Sequence, residues 1–202
     1  MTPFTKLTAV AAPLDMANID TDKIIPARFL RRLRGPGYGK LAFHDIRYDA
    51  NGSDRPDFVL NQAPYRNAGI LVTGANFGCG SSREAAVYVL YDYGIRAVIA
   101  PSFGDIHYGN ELQNGMLPVA LPDDVCQQLR RQLHDSPGAQ LAIDLEAQTV
   151  TGPDGTIHRF DIDANHRERL LKGLDDIGLV MQNIDEIEAF EQRHHSELPW
   201  LA

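Results

Sequence analysis

The most constraining feature of the sequence is an apolar run that leads into a glycine-rich segment and then into a helical pattern. Residues 69–73 (GILVT) form a short apolar run bounded by glycine, which is typical of a buried strand. Residues 74–82 (GANFGCGSS) are rich in glycine and serine. In residues 83–93 the apolar side chains recur at helical spacing, up to a capping glycine at Gly94. The pattern predicts a strand, a loop and a helix in succession.

Strands and helices continue to alternate after this unit. The patterns predict strands over 95–100 and 117–121, a short helix over 104–113, and a further helix that starts at 122–124. This order is typical of α/β layers with parallel strand pairing. Beyond residue 136 the character changes, and weak alternation around the turn at 153–155 predicts a β-hairpin within 140–162. Helices are then predicted near 165–172 (ended by Gly173), 175–181 and 184–194.

The chain has 202 residues and shows no repeat, low-complexity tract or linker-like change of composition. A chain of this length can bury a core of its own. We therefore expect one α/β domain over residues 1–202. Its core is expected over about residues 4–162, and a helical C-terminal extension over about residues 163–202.

Composition excludes several classes of protein. Two cysteines, Cys79 and Cys126, cannot supply a four-thiolate zinc site and fall short of the thiolates that an iron–sulfur cluster takes from its protein. We therefore predict no metal site in this chain. The net charge of −8 disfavours nucleic acid as the main partner. No apolar run approaches membrane-spanning length, and the start MTPFTKLTAV lacks a signal-peptide pattern, so we expect a cytoplasmic protein that does not bind membranes.

Positive charge is concentrated in one segment. Residues 23–40 carry six cations and no acid, and they end in the glycine-rich turn at 35–39. One interpretation is an anion-binding or docking loop, because clustered arginines suit carboxylates and phosphates. The other is a solvated basic helix face that binds nothing in particular. The sequence alone does not favour either.

The glycine-rich loop suits an anion. A loop of small residues that enters a helix presents unpaired backbone N–H groups and the positive end of the helix dipole. Phosphate-loop and dinucleotide patterns both fail, because no lysine follows Gly80 and Arg83 stands where a third glycine is needed. The hydrolase elbow fails as well, since Glu84 stands where its second glycine belongs. These mismatches exclude three common uses of such a loop.

The residues that follow the glycines point to a carboxylate. Ser82 has a simple interpretation as the N-cap of the helix, with Glu84 in the first turn. That interpretation leaves Ser81 and Arg83 unexplained. An arginine at a helix N-terminus opposes the dipole, which suggests that Arg83 faces an anionic ligand placed between them.

Cysteine and histidine chemistry is less supported. Cys79 lies where a helix N-terminus lowers a thiol pKa, but no base is evident, and His44 and His107 are candidates only as histidines. A small packed cysteine is the simpler interpretation of Cys79, and a core residue that of Cys126. The adjacent His194 and His195 lack partners at a metal-like spacing and are expected to be exposed.

Several motifs occur in a fixed order along the chain. They are Asn18–Pro26 (NIDTDKIIP), Gly74–Glu84 (GANFGCGSSRE), Ile99–Ile106 (IAPSFGDI), and Asn110 with Asn114–Pro118 (NGMLP). These residues resemble the aconitase swivel-domain family, and most closely the small subunits of 3-isopropylmalate dehydratase. The resemblance runs from about residue 4 to the C-terminus.

The resemblance implies a layered β/β/α domain with a partly parallel sheet. It implies a hydro-lyase of leucine biosynthesis that interconverts 2-isopropylmalate and 3-isopropylmalate through a dehydrated intermediate. In that family a separate large subunit holds the [4Fe-4S] cluster, so the implied cofactor is not bound by this chain. The implied partners are that large subunit, in a heterodimer or higher assembly, and a small dicarboxylate substrate.

The resemblance also implies roles for individual residues. Ser81 would be the catalytic base, acting as an alkoxide, and Ser82 and Arg83 would bind a substrate carboxylate. Stabilisation of the alkoxide by loop N–H groups, the helix N-terminus and arginine is chemically reasonable. Further implied site residues are the loop supports Gly78, Cys79 and Gly80, and Arg34 as a substrate ligand with Arg31 and Arg32 as charged neighbours.

One position departs from the family pattern. The family usually has histidine after Ser-Ser-Arg-Glu, whereas this chain has Ala85. The departure bears on the substrate more than on the reaction type. A related hydro-lyase acting on a methyl-substituted maleate is therefore an alternative, and a non-catalytic anion-binding module is another.

Overall fold

A computed structural model describes residues 1–198 and residue 200 of the chain. The strands are β1 Lys6–Leu14, β2 Ile70–Thr73, β3 Ala97–Ala100, β4 Leu117–Ala120, β5 Gln140–Asp144, β6 Thr149–Thr151 and β7 Ile157–Arg159. The α-helices are α1 Thr21–Ile24, α2 His44–Arg47, α3 Glu84–Tyr93, α4 Asp105–Gln113, α5 Asp123–Asp135, α6 Ala164–Lys172, α7 Asp176–Met181 and α8 Ile184–Glu197. Short 3-10 turns connect several of them between residues 27 and 65.

The strands form one mixed sheet in the order β4-β3-β2-β1-β5-β6-β7. Strands β1 to β4 pair in parallel, and β5, β6 and β7 continue the sheet from β1 in antiparallel fashion. The expected mixed α/β fold with a partly parallel sheet and C-terminal helices is confirmed. The two β parts of the expected layering are two halves of this one sheet, and the predicted hairpin is a three-stranded antiparallel unit.

Strand β1 joins the two halves. Its first part, Lys6–Val10, pairs with β5, and its second part, Ala11–Leu14, pairs with β2. The second part is fully buried, whereas the first part is only partly covered. Because no single alternation runs through the strand, sequence patterns did not predict β1.

Both faces of the parallel half are covered. On one face Leu71 and Val98 belong to a cluster built with α3 and with residues 19–65. On the other face Ile70 and Ile99 belong to a cluster built with α5 and α6. This double coverage is the reason that the parallel strands are continuous apolar runs. It leaves their carboxyl ends as the edge where polar loops can meet.

The C-terminal helices begin and end where their sequence signals lie. Asp163 caps α6 by accepting from the backbone N–H groups of Asn165 and His166, and Gly173 ends the helix in the left-handed conformation. The backbone N–H of Phe4 donates to the carbonyl of Leu170, a buried residue, so α6 packs on the sheet. The boundary that we predicted near residue 163 stays a prediction.

Helix α8 carries the two adjacent histidines of the tail. His195 is exposed, whereas His194 is half-buried and stacks on Phe190 with ring centroids 5.5 Å apart. The expectation that both are exposed is therefore correct only for His195.

Candidate active site

The glycine-rich loop lies at the carboxyl edge of the parallel strands. It connects β2 to α3, and the loop after β3 runs beside it. The backbone N–H of Phe77 donates to the carbonyl of Ser102 at 3.0 Å, and that of Gly104 donates to the carbonyl of Phe77 at 2.8 Å. Two motifs that are distant in sequence thus meet at the edge where open α/β sheets usually bind ligands.

A third motif fixes the loop from the other side. The backbone N–H of Gly78 donates to the carbonyl of Ile19 at 2.7 Å, and that of Thr21 donates to the carbonyl of Cys79 at 3.0 Å. The Thr21 hydroxyl, itself buried, donates to the carbonyl of Ser81 at 2.9 Å. Through these bonds, the segment that begins at Asn18 fixes the backbone of the glycine-rich loop at Gly78, Cys79 and Ser81.

The predicted catalytic and binding hydroxyls are accessible. Ser81 and Ser82 are both exposed, as is Gly80, whereas Cys79 is half-buried and Gly78 is buried. Gly78 and Gly80 have φ values of 71° and 93°, in the left-handed region that favours glycine. The loop therefore turns twice in a conformation that presents its serines outward.

Unpaired donors collect at the end of the loop. None of the backbone N–H groups of Gly80, Ser81 and Ser82 donates to a backbone acceptor in the part of the chain that the structure describes. The helix α3 starts at Glu84, with Arg83 as an N-cap that makes no side-chain capping bond. Ser82 is therefore not the N-cap, and its hydroxyl is available for a ligand. The positive end of the α3 dipole adds to the preference for an anion.

Arg83 lies at this same point and is held in place. Its side chain is only 13% exposed, and Nη1 contacts Asp22 Oδ1 at 2.5 Å and the Ile25 carbonyl at 3.4 Å. The hydrogen bond from Arg83 lowers the pKa of the Asp22 carboxyl. Both contacts use Nη1, so the rest of the guanidinium can face a ligand at the loop.

The structure does not bring Arg34 to the loop. Its Nε and Nη2 bind the two oxygens of Asp92 at 2.8 and 2.6 Å, and its guanidinium lies 4.6 Å from the centroid of the Tyr88 ring. Asp92 lies near the end of α3, about 12 Å further along the helix than Glu84. Arg31 and Arg32 are exposed. The segment from 23 to 40 contains only short helical turns, so its interpretation as a basic helix face is wrong.

Neither histidine considered as a base for Cys79 makes a hydrogen bond to its thiol in the described part of the chain. His44 lies between the rings of Phe29 and Tyr48 and contacts Asp45. His107 is buried on α4, with its ring packed against Gly78 from below the loop. The simpler interpretation of Cys79, a small residue in a tight loop, agrees with its half-buried position.

The cysteines do not fit an iron–sulfur cluster. Cys126 lies in the apolar cluster beneath α5, where burial raises the pKa of its thiol to about 11 and disfavours the thiolate that a cluster binds. Among residues 1–198 and 200, no group of three His, Cys, Asp or Glu side chains is arranged to hold a metal ion. Within the same residues no helix has both the length and the apolar character needed to span a bilayer.

Comparisons with known proteins agree with this arrangement. The family model of the aconitase C-terminal domain matches residues 1–124, LeuD_N matches 127–164, and the C-terminal domain of the 3-isopropylmalate dehydratase small subunit matches 176–202. The 3-isopropylmalate dehydratase small subunit of Parvibaculum lavamentivorans is 51% identical over 201 residues, which is 100% of both chains. The chain belongs to the 3-isopropylmalate dehydratase small-subunit family.

Other members of the family are similarly related. The 3-isopropylmalate dehydratase small subunit of Gluconacetobacter diazotrophicus is 54% identical over 200 residues, covering 99% of this chain and 97% of that protein. A crystal structure of 3-isopropylmalate dehydratase from Methanocaldococcus jannaschii matches with a TM-score of 0.65 at 24% identity, covering 92% of this chain and 99% of that one. At that identity the match shows the common fold.

Sequence reasoning did not assign roles to several residues that build the site. Thr21 and Asp22 lie in the first of the four motifs, and the structure places them on the loop and on Arg83. Asn114, in the last motif, donates to the Glu84 carboxylate at 3.2 Å, beside the start of α3. The collinearity of the motifs was the available signal, since segments that share one site tend to carry polar residues in otherwise apolar surroundings.

Proposed function

We propose that this chain is the small subunit of 3-isopropylmalate dehydratase, a hydro-lyase that interconverts 2-isopropylmalate and 3-isopropylmalate in leucine biosynthesis. The observation that carries the proposal is the exposed pair Ser81 and Ser82 on a fixed loop, with Arg83 and unpaired N–H groups beside them. Family membership supports the reaction and the substrate class.

In the proposed reaction Ser81 is the catalytic base. Its alkoxide takes a proton from the carbon next to a substrate carboxylate, and hydroxide leaves from the neighbouring carbon to give the unsaturated intermediate. Water then adds in the opposite sense, and the serine returns the proton. A serine hydroxyl is a weak base near neutrality, so its anion needs fixed donors, and the loop N–H groups and the α3 dipole are suited to this.

Ser82 and Arg83 are the proposed carboxylate ligands. Arg83 is restrained through Nη1 by Asp22, so it meets the substrate with little loss of side-chain freedom. Its guanidinium matches a carboxylate better than an ammonium does, because it offers two parallel donors. Gly78, Cys79 and Gly80 are the proposed supports of the loop backbone that leads to these groups.

Arg34 is a proposed ligand that must move. Its pair with Asp92 is partly exposed, with side chains 44% and 23% accessible, and such a pair contributes only about 0–1 kcal/mol. A substrate carboxylate or a partner surface can therefore compete for the guanidinium. We propose that the basic turn closes towards the loop when the complex forms.

The leaving hydroxyl needs an acid that we assign to another chain. We propose that a large subunit holds the [4Fe-4S] cluster and binds this chain as a heterodimer or a higher assembly, active in the cytoplasm. The poor fit of Cys79 and Cys126 to a cluster supports this division. The residues of this chain supply the base and the carboxylate ligands.

Reconstitution with a cluster-bearing large subunit tests the proposal. We expect turnover of 2-isopropylmalate by the pair and a smaller rate on methyl-substituted maleates. A preference for the maleates would favour the alternative suggested by Ala85, which lies half-buried in the first turn of α3. No complex and no turnover would favour a non-catalytic anion-binding module.

A further inference from the structure

A buried polar pair lies directly beneath the glycine-rich loop and has no part in the proposed reaction. His107 and Glu111 are one turn apart on α4, their side chains are 1% and 0% exposed, and Nε2 lies 3.0 Å from Oε1. The two groups are in close contact, but their geometry is not that of a well-aligned hydrogen bond. Within the described chain, neither Glu111 oxygen and neither ring nitrogen of His107 has a hydrogen-bond partner.

The imidazole is in direct contact with the loop. A Cβ added to Gly78 would come within 2.2 Å of two atoms of the His107 ring, so the ring occupies the space that a side chain would take. The ring also packs edge-on against Phe77, with centroids 5.4 Å apart. The His107 ring therefore packs directly against the loop residues that precede Ser81.

Such a pair is costly for folding. Two ionisable groups without further partners lose their hydration on burial, and apolar residues of similar volume often give an equal or higher stability. Burial raises the pKa of the Glu111 carboxyl, which reflects this cost. The apolar cluster around Phe77 would accept an aromatic ring at position 107 without a polar partner. Stability alone therefore does not account for the pair.

We propose that His107 and Glu111 form a positioning pair for the reaction, in which Glu111 fixes the imidazole against Gly78 and so keeps the loop from Gly78 to Arg83 in its reactive geometry. The pair acts through the loop and does not touch the substrate. Small displacements of a reacting group cost large factors in rate, about a hundredfold for 1 Å. The inference rests on the proposed function for its kinetic consequence only.

Two variants test the proposal in the full-length chain. The double variant His107→Phe with Glu111→Leu replaces both polar groups by apolar side chains, and Glu111→Gln replaces the carboxyl by an amide. We expect the double variant to melt at or above the wild-type Tm. We also expect the amides of Phe77, Gly78 and Thr21, which donate across the loop, to exchange with deuterium at least tenfold faster in both variants. With the large subunit, kcat should fall at least tenfold while KM stays within twofold.

Leu112→Val is the matched control, because Leu112 lies on the same helix but in the cluster on the other face of the sheet. It should lower Tm and leave loop exchange and kcat unchanged. Wild-type exchange or wild-type kcat in the double variant would overturn the proposal; if that variant does not fold, Glu111→Gln decides by the same criteria. A wild-type complex with the large subunit that is inactive would contradict the proposed function. The exchange data would still decide whether His107 and Glu111 fix the loop.

Discussion

At the scale of single residues, two neighbouring serines differ in how they are held. The carbonyl of Ser81 accepts from the buried Thr21 hydroxyl, so the backbone beneath the Ser81 side chain is fixed. Ser82 precedes the N-cap residue Arg83 and is exposed. A base needs a set position more than a binding hydroxyl does, and this favours Ser81 as the base.

The first prediction concerns that base. Ser81→Ala in the reconstituted pair should lower kcat by about a hundredfold or more, because general base catalysis contributes at least that factor. The complex should still form, as measured by size-exclusion chromatography. Ser136→Ala, at an exposed position after α5, is the control and should leave kcat unchanged. Retention of more than about a tenth of the rate by Ser81→Ala would point to another base.

The second prediction concerns Arg83. Arg83→Lys should raise KM for the dicarboxylate about tenfold or more with a smaller effect on kcat, because lysine does not reproduce two parallel donors. Steady-state kinetics on the reconstituted pair measure both constants. Arg66→Lys, in an exposed pair with Asp54, is the control for the same chemical change. A KM equal to that of the wild type would count against a role of Arg83 in binding.

At the scale of elements, the sequence predicted those helices and strands that are each specified by one local sequence signal. The apolar runs of β2 and β3 are buried on both faces, and α3 ends at a capping glycine, so local patterns were sufficient. Strand β1 was missed because its two parts pair with different strands and differ in burial. The burial of His107 was not predicted from the sequence either, because it depends on the packing of α4 against Gly78.

The third prediction concerns the turn at Gly78. Gly78→Ala combines a φ of 71° with a clash against the His107 ring, and we expect it to lower the free energy of unfolding by about 3 kcal/mol or more. Gly155→Ala is the matched control, because Gly155 has a φ of 83° but no atom within 4 Å of an added Cβ. It should cost only about 1 kcal/mol. Urea unfolding measures both, and equal losses would show that the ring does not restrict the loop.

The fourth prediction concerns the pair that ties the basic segment to α2. The hydrogen bond from Arg28 lowers the pKa of Asp45 from 3.8 to about 2. A lowered pKa in the folded state stabilises the fold above about pH 4, and this contribution is lost as the pH falls towards 2. Asp45→Asn should therefore lower Tm at pH 6, and the difference from the wild type should shrink between pH 4 and pH 2. A difference that does not change with pH would contradict this origin.

At the scale of the whole molecule, the proposed function makes this chain one half of an active site. Three motifs from distant parts of the sequence meet at the carboxyl edge of the parallel strands, where they present serines and unpaired N–H groups outward beside the largely buried Arg83. The basic turn with Arg34 lies away from the loop, where Asp92 near the end of α3 holds the Arg34 side chain. Neither cysteine is suited to a cluster, so the acid for the leaving hydroxyl is expected from a partner. Composition predicted that this chain holds no cluster, and the family resemblance implied the division between two subunits, whereas only the structure could show how the loop is held.

The most direct test of this division is the rate of isopropylmalate isomerisation by the chain alone, by a cluster-bearing large subunit alone, and by the two mixed. We predict turnover only in the mixture, and its loss when the mixture contains the Ser81→Ala variant. Turnover by this chain alone, or a full rate by the large subunit alone, would contradict the division.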